Sequence, residues 1–505
     1  MTNKILVYVN RDLTTFGVAN SLQKKINCEL YSIIEMMNEP VKFFKSQKIV
    51  DFKKKWYLFE NIKNKITQPD LKYLESIEAK YKINLWQIVL TERSFLNYNK
   101  YHKFTRDEIL SILEQECRFF EKVLDESQPE YIIILMTDYQ HLRILHEMCK
   151  AKNIHVLLTK RSRFGFKWMI TDQNRLQDLT KYLKKPENKK RDIKELQNYI
   201  QKFDPYKQGI ELVEKQAVSV TKFFTSKGIK SLLNFLESDE DRERFYGLGR
   251  TKTKIFSKMI SMIVKTKFRE DFINKKFLKK IPKDEKFIYF PLHDEPEGVV
   301  FLSAPYFTNQ LEVISNISKS IPVDYKLYVK EHQIMKKRRW RPISYYKQIM
   351  SLPNVRLVHP SVKNLDLIKN CSVLTTIAGT SGVEAAFYLK PSINLVDSGY
   401  SILPSVYHLK NLEELPKIIK QALSTKVEIS DLNNYVNIIE ANSFHANLLD
   451  AFGENHPFHG SIQPNNEITN EIMNKWLEEK VEIFDLWADE IIKKIKIIEN
   501  YSGKK

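Results

Sequence analysis

Thr375-Thr-Ile-Ala-Gly-Thr-Ser-Gly-Val-Glu384, which we call the glycine turn, joins an apolar run at residues 373–377 to a helical pattern at 381–389. An apolar run that leads through a turn into a helix is typical of a βα unit in a parallel sheet. The chain has 13 glycines in 505 residues, against roughly 35 at the usual frequency of about 7%. The close pair Gly379 and Gly382 is therefore informative.

The glycine turn is predicted to bind a phosphate. The backbone amides of Thr380, Ser381 and Gly382 are expected to point outward from a helix N-terminus, where they, the two hydroxyls and the helix dipole attract an anion. Glu384, one turn into the helix, is placed for the two hydroxyls of a ribose. The alternative is structural, because Ser381 and Glu384 also fit a capping box that satisfies free amides of the same helix.

The segments around the glycine turn predict an open sheet. Apolar runs at 287–292, 325–329, 355–358, 373–377 and 392–396 alternate with helical patterns near 306–318, 343–350, 362–370, 381–389 and 412–423. This alternation predicts a doubly wound parallel sheet.

Chemistry-bearing side chains follow two more of these strands. Lys330 and His332 come after the second apolar run, and His293, Glu295 and Glu297 come after the first. In open α/β sheets, ligands bind outside the carboxyl ends of the strands. These groups are therefore predicted to lie at the same edge of the sheet as the glycine turn.

The first 170 residues carry a similar alternation. Strands are predicted at 5–9, 131–136 and 154–158, with helices at 16–26 and 139–150. This order predicts a second parallel sheet. The lysine- and aromatic-rich region 41–124 is interpreted as helical insertions around that sheet.

Composition narrows the class of protein. A chain of 505 residues with 43% hydrophobic residues is expected to form at least two domains. No apolar run approaches the roughly 18 residues of a membrane-spanning helix, and the start lacks a signal-peptide pattern, so a cytoplasmic protein is expected. Cys28, Cys117, Cys149 and Cys371 are far apart and form no CxxC pair, which indicates reduced core residues.

The formal net charge of +19 indicates an anionic partner. Nucleotide phosphate, an acidic polysaccharide and an anionic membrane surface all fit. Nucleic acid is not expected, because no zinc-finger spacing or aromatic sheet motif accompanies the basic residues. The region 250–281 predicts a basic amphipathic helix, and both peripheral membrane binding and packing on its own protein stay open for it.

Several motifs occur in a family-specific order. They are Phe-Pro-Leu-His-Asp-Glu-Pro-Glu at 290–297, Tyr-Val-Lys-Glu-His at 328–332, an arginine-rich stretch with Tyr345-Tyr346, Leu-Pro-Asn-Val-Arg-Leu-Val at 352–358, the glycine turn, and Leu-Lys-Pro at 389–391. Together they resemble the capsule polysaccharide biosynthesis and export family, which is similar to GT-B glycosyltransferases and includes transferases that use CMP-activated 3-deoxy-octulosonate. The likeness covers about residues 287–423, and Asn84-Leu-Trp86 with Glu92-Arg93 resembles the family's amino-terminal half.

The resemblance implies a fold and a division of the chain. The expected fold class is α/β and GT-B-like, with two Rossmann-like doubly wound domains that face each other across a cleft, helical insertions and a long C-terminal helix. The expected parts are an acceptor-side domain at 1–170, a helical connecting region at 171–282, a nucleotide-sugar-binding domain at 283–425 and a helical tail at 426–505. The tail helix, predicted at 467–500, carries an apolar stripe that is expected to pack across the domains.

The resemblance also implies residue roles. His332, with Lys330 nearby, is expected to face the nucleotide phosphates, and Glu384 the ribose. The residues expected to cradle the phosphates are Gly379, Thr380, Ser381 and Gly382. The family usually has His-Pro where this chain has His332-Gln333, which puts the shape of that loop in question. The nucleotide sugar is expected as a donor substrate, with no cofactor and no metal, because His445, His456 and His459 lack credible ligand spacing.

Catalytic residues are expected in the cleft. The candidates are Asp138 and Asp12, which follow strands of the first sheet, together with His293 and Glu295 of the second. Each aspartate has a structural alternative as the N-cap of the next helix.

A basic run near the predicted site contains Arg338, Arg339 and Arg341. Guanidinium groups match carboxylate and phosphate oxygens in pairs, so these residues are predicted to hold an acidic acceptor or a diphosphate. A solvated loop is the alternative.

The function expected from these features is a glycosyltransferase that moves a sugar from a nucleotide donor to a capsule-type glycan or a lipid-linked acceptor in the cytoplasm or at the inner face of the membrane. Two alternatives stay open. One is a sugar-nucleotide 2-epimerase or polyol-phosphate transferase, which shares a similar turn. The other is a non-catalytic polysaccharide assembly factor at the membrane surface.

Overall fold

The protein forms two α/β units. A computed structural model describes residues 3–37, 39–62, 67–92, 95, 101–135, 137, 139–162, 167–171, 187–202, 248–249, 251–295, 300–301, 304–336, 340–447, 456–457 and 468–502. Within these residues, the strands belong to two sheets, one of seven strands and one of six.

The first sheet is built mainly from the first 171 residues. Its strands are β1 (Asn3–Val9), β2 (Cys28–Ile34), β3 (Phe52–Tyr57), β4 (Tyr131–Ile134), β5 (His155–Arg161), β6 (Lys167–Thr171) and a late strand, β13 (Phe444–His445). Their order is β13-β6-β5-β4-β1-β2-β3. Strands β1 to β5 are parallel, whereas β6 and β13 pair antiparallel. From β3 to β6, this is the 3-2-1-4-5-6 order of a Rossmann fold.

Helices cover both faces of the first sheet. They are Thr14–Lys25, Glu39–Ser46, Leu58–Asn61, Leu71–Tyr81, Leu85–Val89, Arg106–Ser127 and Gln140–Ala151. Because successive side chains of a strand point to opposite faces, Leu6 and Ile132 enter one apolar cluster, and Val7 and Ile133 enter the other.

The carboxyl-terminal helices complete the second of those clusters. The predicted tail helix is two helices, Asn470–Glu479 and Val481–Ser502, and their apolar side chains pack against the first sheet. Helix Thr14–Lys25 allows this approach at Gly17, where an added Cβ would lie 2.6 Å from the Phe484 ring. Trp487 is 1% exposed there, so its truncation to alanine would cost about 3–5 kcal/mol.

The second sheet contains six parallel strands. They are β7 (Phe287–Pro291), β8 (Lys326–Lys330), β9 (Val355–Val358), β10 (Val373–Thr376), β11 (Ser392–Asn394) and β12 (Val406–His408). Their order is β12-β11-β10-β7-β8-β9, again 3-2-1-4-5-6 when read from β9. The helices around this sheet are Gln310–Ser320, Ile343–Met350, Asn364–Asn370, Ser381–Phe387, Leu415–Ser424 and Ile429–Asn442, with short 3-10 turns at Pro305–Phe307, Gln333–Lys336 and Leu412–Glu414.

The two sheets confirm the predicted fold class of two Rossmann-like doubly wound α/β units. One prediction was wrong in part: the region 41–124 is not only helical, because it contains β3, an edge strand of the first sheet. Its sequence, Phe-Lys-Lys-Lys-Trp-Tyr, lacks the apolar run of a buried parallel strand, and exposed lysines are common on edge strands. Three of the four cysteines are buried and Cys28 is half-buried, and all four are free thiols.

The described residues of the segment predicted to connect the sheets include two helices. Helix Ile193–Lys202 places Leu196 in an apolar cluster with Met169 of β6 and Val383 of the second unit. Helix Lys252–Lys276 ends at Ile273 and Phe277, which are buried in the second unit. Among the described residues, no helix is long and apolar enough to span a membrane.

Candidate functional site

The second sheet reverses its strand order between β7 and β10. From β7 the chain continues through β8 and β9 on one side, whereas β10, β11 and β12 add to the other side. The loops after β7 and β10 therefore leave the sheet in opposite directions and open a crevice at its carboxyl edge. His293 follows β7 and the glycine turn follows β10, so both border this crevice.

His293 is held by hydrogen bonds of both its backbone and its ring. Its amide donates to Gln310 Oε1 at 2.8 Å, and its carbonyl accepts from Gln310 Nε2 at 3.2 Å. The ring Nε2 lies 3.1 Å from Thr376 Oγ1, and the same hydroxyl accepts from the Gly379 amide at 3.0 Å. Because His293 and Thr376 are 7% and 0% exposed, these bonds fix the crevice with little competition from water.

Gly379 lies where these groups converge. A Cβ added to it would lie 2.8 Å from Thr376 Oγ1, 3.2 Å from Ser381 Oγ and 3.3 Å from His293 Cε1. The structure thus brings together three predicted residues, Gly379, Ser381 and His293. It adds Thr376, whose role the sequence pattern did not reveal.

The amides of the glycine turn are only partly as predicted. Those of Thr380 and Ser381 donate no hydrogen bond to the described residues, whereas the Gly382 amide reaches Gly379 O at 3.3 Å. The capping-box alternative is wrong, because Thr380 occupies the N-cap position of helix Ser381–Phe387 with no side-chain cap bond. Thr380 is exposed at the turn, and Glu384 is half-buried one turn into the helix.

Gly382 is required by packing behind the turn. An added Cβ would lie 2.5 Å from Tyr400 Oη and 2.7 Å from Asn394 Oδ1. The Tyr400 hydroxyl donates to Gly379 O, and Ser392 Oγ donates to Gly382 O at 2.9 Å. Tyr400, fully buried, therefore sets the position of the turn from below. No sequence motif pointed to it.

Lys330 ends β8 beside the crevice, and its backbone carbonyl accepts from Leu292 N at 2.9 Å. The residue is 3% exposed. Burial lowers the pKa of its ammonium to about 8, against the opposing effect of the Asp366 carboxylate. A buried ammonium gains when an anion binds beside it, because the anion compensates for the lost hydration.

His332 stands on a fixed loop after β8. Its amide donates to Glu331 Oε1 at 2.7 Å, and its Nδ1 accepts from the Ile334 amide at 3.4 Å. The ring is half-buried. The loop forms the short 3-10 turn Gln333–Lys336.

Arg341 is enclosed rather than open to a ligand. It is 3% exposed, and its guanidinium pairs with Glu331 Oε2 at 3.0 Å and with Glu295 Oε2 at 2.6 Å. It also donates to the His293 carbonyl, and Tyr346 Oη donates to Glu331 Oε2 at 2.7 Å. The guanidinium of Arg341 is therefore not open to an acceptor, contrary to what was predicted from the sequence, and instead positions the His293 loop.

Glu295 remains a candidate catalytic residue on the partly exposed side of this hydrogen-bond network. Its carboxylate accepts from Gln310 Nε2 at 2.5 Å, and its side chain is 31% exposed. Arg338, Arg339 and Glu297, which were predicted beside the site, lie outside the described residues.

Asp12 of the first sheet behaves mainly as a turn residue. Its Oδ1 accepts from the Thr14 amide at 2.8 Å, and its own amide donates to Asn10 Oδ1 at 3.3 Å. Burial raises the pKa of its carboxyl, although these hydrogen bonds oppose the rise. Asp138, the other aspartate predicted at this edge, lies outside the described residues.

A buried acid and histidine cluster lies at the carboxyl edge of the first sheet. His141 Nε2 is 3.5 Å from Glu35 Oε1, Gln140 N donates to Glu92 Oε2 at 2.8 Å, and Gln140 Nε2 donates to Glu116 at 3.1 and 3.2 Å. Glu92, Glu116, Gln140 and His141 are each at most 2% exposed. Glu35, which follows β2, is the member that reaches partly into solvent, with 16% of its side chain exposed.

Burial and neighbouring charges shift the pKa values of Glu116 and His141 in this cluster. Burial raises the pKa of Glu116 to about 7, in spite of His141 and Gln140. Burial lowers the pKa of His141, but Glu35, Glu116 and Glu92 outweigh it and leave that pKa above its ordinary value. When His141 is protonated, its imidazolium faces the Glu35 carboxylate at 3.5 Å and attracts its negative charge. The sequence did contain an indication that Glu116 is buried, because Glu116 lies at helical spacing between Leu113 and Phe120, which are both buried.

Groups of three or more histidine, cysteine, aspartate or glutamate side chains in metal-binding arrangement do not occur among the described residues.

Comparisons with known proteins found distant similarities to solved structures. No family model and no curated protein matches the sequence. Among solved structures, UDP-GlcNAc 2-epimerase from Methanocaldococcus jannaschii is 13% identical over 87% of this chain and 99% of its own, with a TM-score of 0.24. Thermosulfurimonas dismutans KpsC, a beta Kdo 2,7 transferase, is 13% identical over 73% and 92%, with a TM-score of 0.30. Its beta Kdo 2,4 transferase is 10% identical over 68% and 86%, with a TM-score of 0.31. These TM-scores are low, and the fold assignment rests on the strand order of the two sheets.

Proposed function

We propose that this protein is a glycosyltransferase of capsule or surface polysaccharide biosynthesis, which transfers a sugar from a nucleotide donor to a glycan or lipid-linked acceptor. The observation that carries the proposal is the convergence of His293, Thr376 and Gly379 at the switch point of a Rossmann-like sheet, with Lys330 at the neighbouring strand end. Switch points of open α/β sheets are where nucleotides bind. The motif order at 290–391 supports the choice of family.

Lys330 and the glycine turn are the proposed phosphate grip. The ammonium of Lys330 supplies positive charge, and exposed Thr380 with the amides of Thr380 and Ser381 supplies donors. His332, on its fixed loop, is proposed to face the same phosphates. Glu384 is proposed to accept hydrogen bonds from the ribose hydroxyls. The donor is itself the substrate, and the proposal includes no other cofactor.

The sugar-transfer step is proposed to use the first unit. The acceptor hydroxyl must lose its proton as its oxygen bonds to the anomeric carbon, while the nucleotide phosphate leaves with the electrons of the broken C–O bond. Glu35, whose side chain is 16% exposed and lies 3.5 Å from His141, is proposed to take that proton. His141 is then a positioning residue. Asp138, Glu295 and His293 remain the candidates proposed from the sequence.

Isothermal titration with CMP-, UDP-, GDP- and CDP-linked sugars tests the proposal. At least one nucleotide is expected to bind, and Glu384→Ala should weaken it by about tenfold or more, since a hydrogen bond to a charged group contributes about 1.5–3 kcal/mol. Absence of binding to every nucleotide, together with an unchanged thermal profile of Glu384→Ala, would contradict the proposal.

Product analysis separates this activity from the alternatives. A 2-epimerase changes the donor sugar without an acceptor, and a polyol-phosphate transferase delivers a phosphodiester. NMR of the products from bound donor, with and without candidate acceptors, distinguishes a new glycosidic bond from both outcomes.

A further inference from the structure

Helix Lys252–Lys276 is held along one side by contacts in both of its halves. Near its carboxyl end, Ile273 is 1% exposed in the core of the second unit. Arg269 donates to the Trp340 carbonyl at 2.9 Å. Nearer the amino end, Lys258 lies 4.3 Å from the centre of the Tyr101 ring. These contacts hold one side of the helix, and the apolar side chains described on the opposite side are exposed.

That surface is an apolar stripe. Phe256, Ile260, Val264 and Phe268 are 48%, 47%, 52% and 65% exposed. Residues four apart lie on one helix face, so these side chains form a continuous stripe over more than three turns. Exposed apolar residues scattered singly are ordinary, whereas a continuous exposed stripe indicates a binding surface.

The stripe is embedded in positive charge. Residues 252–269 contain six lysines and arginines and no aspartate or glutamate. Lys254, Lys265 and Lys267 are exposed, and Lys267 falls on the same face as the stripe. A surface that joins large apolar groups to cations and carries no anion matches the interface of an anionic lipid bilayer, which offers acyl chains below phosphate headgroups.

We propose that the Phe256–Phe268 stripe docks this protein on an anionic membrane, with the helix lying parallel to the bilayer surface. A second copy of the chain fits less well, because pairing two such faces would bring like charges together. An acidic protein partner would satisfy the lysines but requires its own apolar groove. The inference is independent of the proposed glycosyltransferase activity, although it would bring the site near lipid-linked acceptors.

Vesicle flotation of the full chain tests this surface. The wild type is expected to float with vesicles of phosphatidylglycerol and phosphatidylcholine at low salt, to lose binding at high salt, and not to float with phosphatidylcholine alone. The double variant Phe256→Ser/Phe268→Ser should lose about tenfold or more of the bound fraction. Leu71→Ser/Val323→Ser is the matched control, because both side chains are exposed apolar residues outside the stripe; it should float like the wild type.

Two further measurements show whether the stripe is covered by its own chain or by a second copy of the protein instead of a membrane. The thermal midpoint and the light-scattering mass of Phe256→Ser/Phe268→Ser should equal those of the wild type. A lower midpoint would mean that the stripe is packed within its own chain, and a wild-type dimer that the variant converts to monomer would mean a second copy. Either result, or flotation unaffected by the variant, overturns the proposal.

Discussion

The ring Nε2 of His293 lies 3.1 Å from Thr376 Oγ1 and joins the two loops that diverge from the switch point of the second sheet. The residues are 83 positions apart in sequence, yet the pairing of β7 with β10 makes them neighbours. Because Thr376 also accepts from the Gly379 amide at 3.0 Å, one hydroxyl links the histidine to the glycine turn. These contacts between protein groups hold the two sides of the proposed nucleotide site together.

The packing of Gly382 predicts a rescue between two variants. Gly382→Ala should destabilise the protein by about 1–3 kcal/mol, because its Cβ would meet the Tyr400 hydroxyl at 2.5 Å and overpacking costs about that much. Tyr400→Phe removes the nearer of the two clashing oxygens, so the double variant should be more stable than the sum of the two single effects predicts. Denaturant unfolding of the four proteins measures this coupling. Strict additivity would mean that Tyr400 does not confine Gly382.

Lys330 is predicted to lower the stability of the folded protein and to strengthen nucleotide binding. An unfolded chain keeps a lysine proton up to a pKa of about 10.4, whereas the folded protein releases that of Lys330 near a pKa of about 8. Between these values the unfolded state binds more protons, so stability rises with pH. Lys330→Met should remove this rise, be more stable at pH 7 by up to about 3 kcal/mol, and bind nucleotide more weakly.

The control for Lys330 is Lys326→Met, at the amino end of the same strand. It should leave nucleotide affinity unchanged. Equal nucleotide affinity in Lys330→Met and wild type would remove Lys330 from the site.

Glu116 should make stability depend on pH in the opposite sense. Its pKa of about 7 in the folded protein exceeds the value of about 4.3 in an unfolded chain. Between them the folded state binds more protons, so this contribution is present below the lower value and is lost as pH rises toward 7. Glu116→Gln should make stability depend less on pH, with a difference from the wild type of up to about 4 kcal/mol. Thermal unfolding at several pH values measures it, with exposed Glu75→Gln as control; identical pH profiles for Glu116→Gln and wild type would contradict the account.

Glu35 is predicted to act in turnover and not in donor binding. Glu35→Gln keeps the shape but cannot take a proton, so the turnover rate should fall by about 100-fold or more while the dissociation constant of the donor stays the same. Glu29→Gln, at the amino end of the same strand, is the matched control. A normal rate in Glu35→Gln would transfer the role to another carboxylate, with Asp138 the first to examine.

The sequence predicted the second sheet closely except for its edge strand β12, whereas it predicted only β1, β4 and β5 of the first sheet. Strands β7 to β11 are short apolar runs between helices, and their predicted bounds differ from the observed ones by two residues or fewer. Strands β2 and β3 escaped prediction because Cys-Glu-Leu-Tyr-Ser-Ile-Ile and Phe-Lys-Lys-Lys-Trp-Tyr mix polar and apolar residues. Their strand pairing depends on neighbours distant in sequence, which a local pattern does not contain.

The candidate site divides in the same way. His293, Gly379 and Ser381 were predictable because strand ends at one edge must converge. The burial of Arg341 was not, since a basic run looks the same whether its charges meet solvent or the carboxylates of Glu331 and Glu295. The acid and histidine cluster of the first unit joins four stretches far apart in sequence, so only the folded chain brings it together.

Nucleotide binding by a matched pair of threonine variants tests the central claim most directly. Thr375 and Thr376 are adjacent and both 0% exposed, but Thr375 Oγ1 bonds Tyr289 O at 3.3 Å, away from His293. Isothermal titration with the nucleotide that the wild type binds should give about tenfold or more weaker affinity for Thr376→Val, because the His293 ring and the Gly379 amide lose their partner. Thr375→Val should bind as the wild type does. Equal affinity of both variants and wild type would contradict the placement of the donor nucleotide at the switch point of the second sheet.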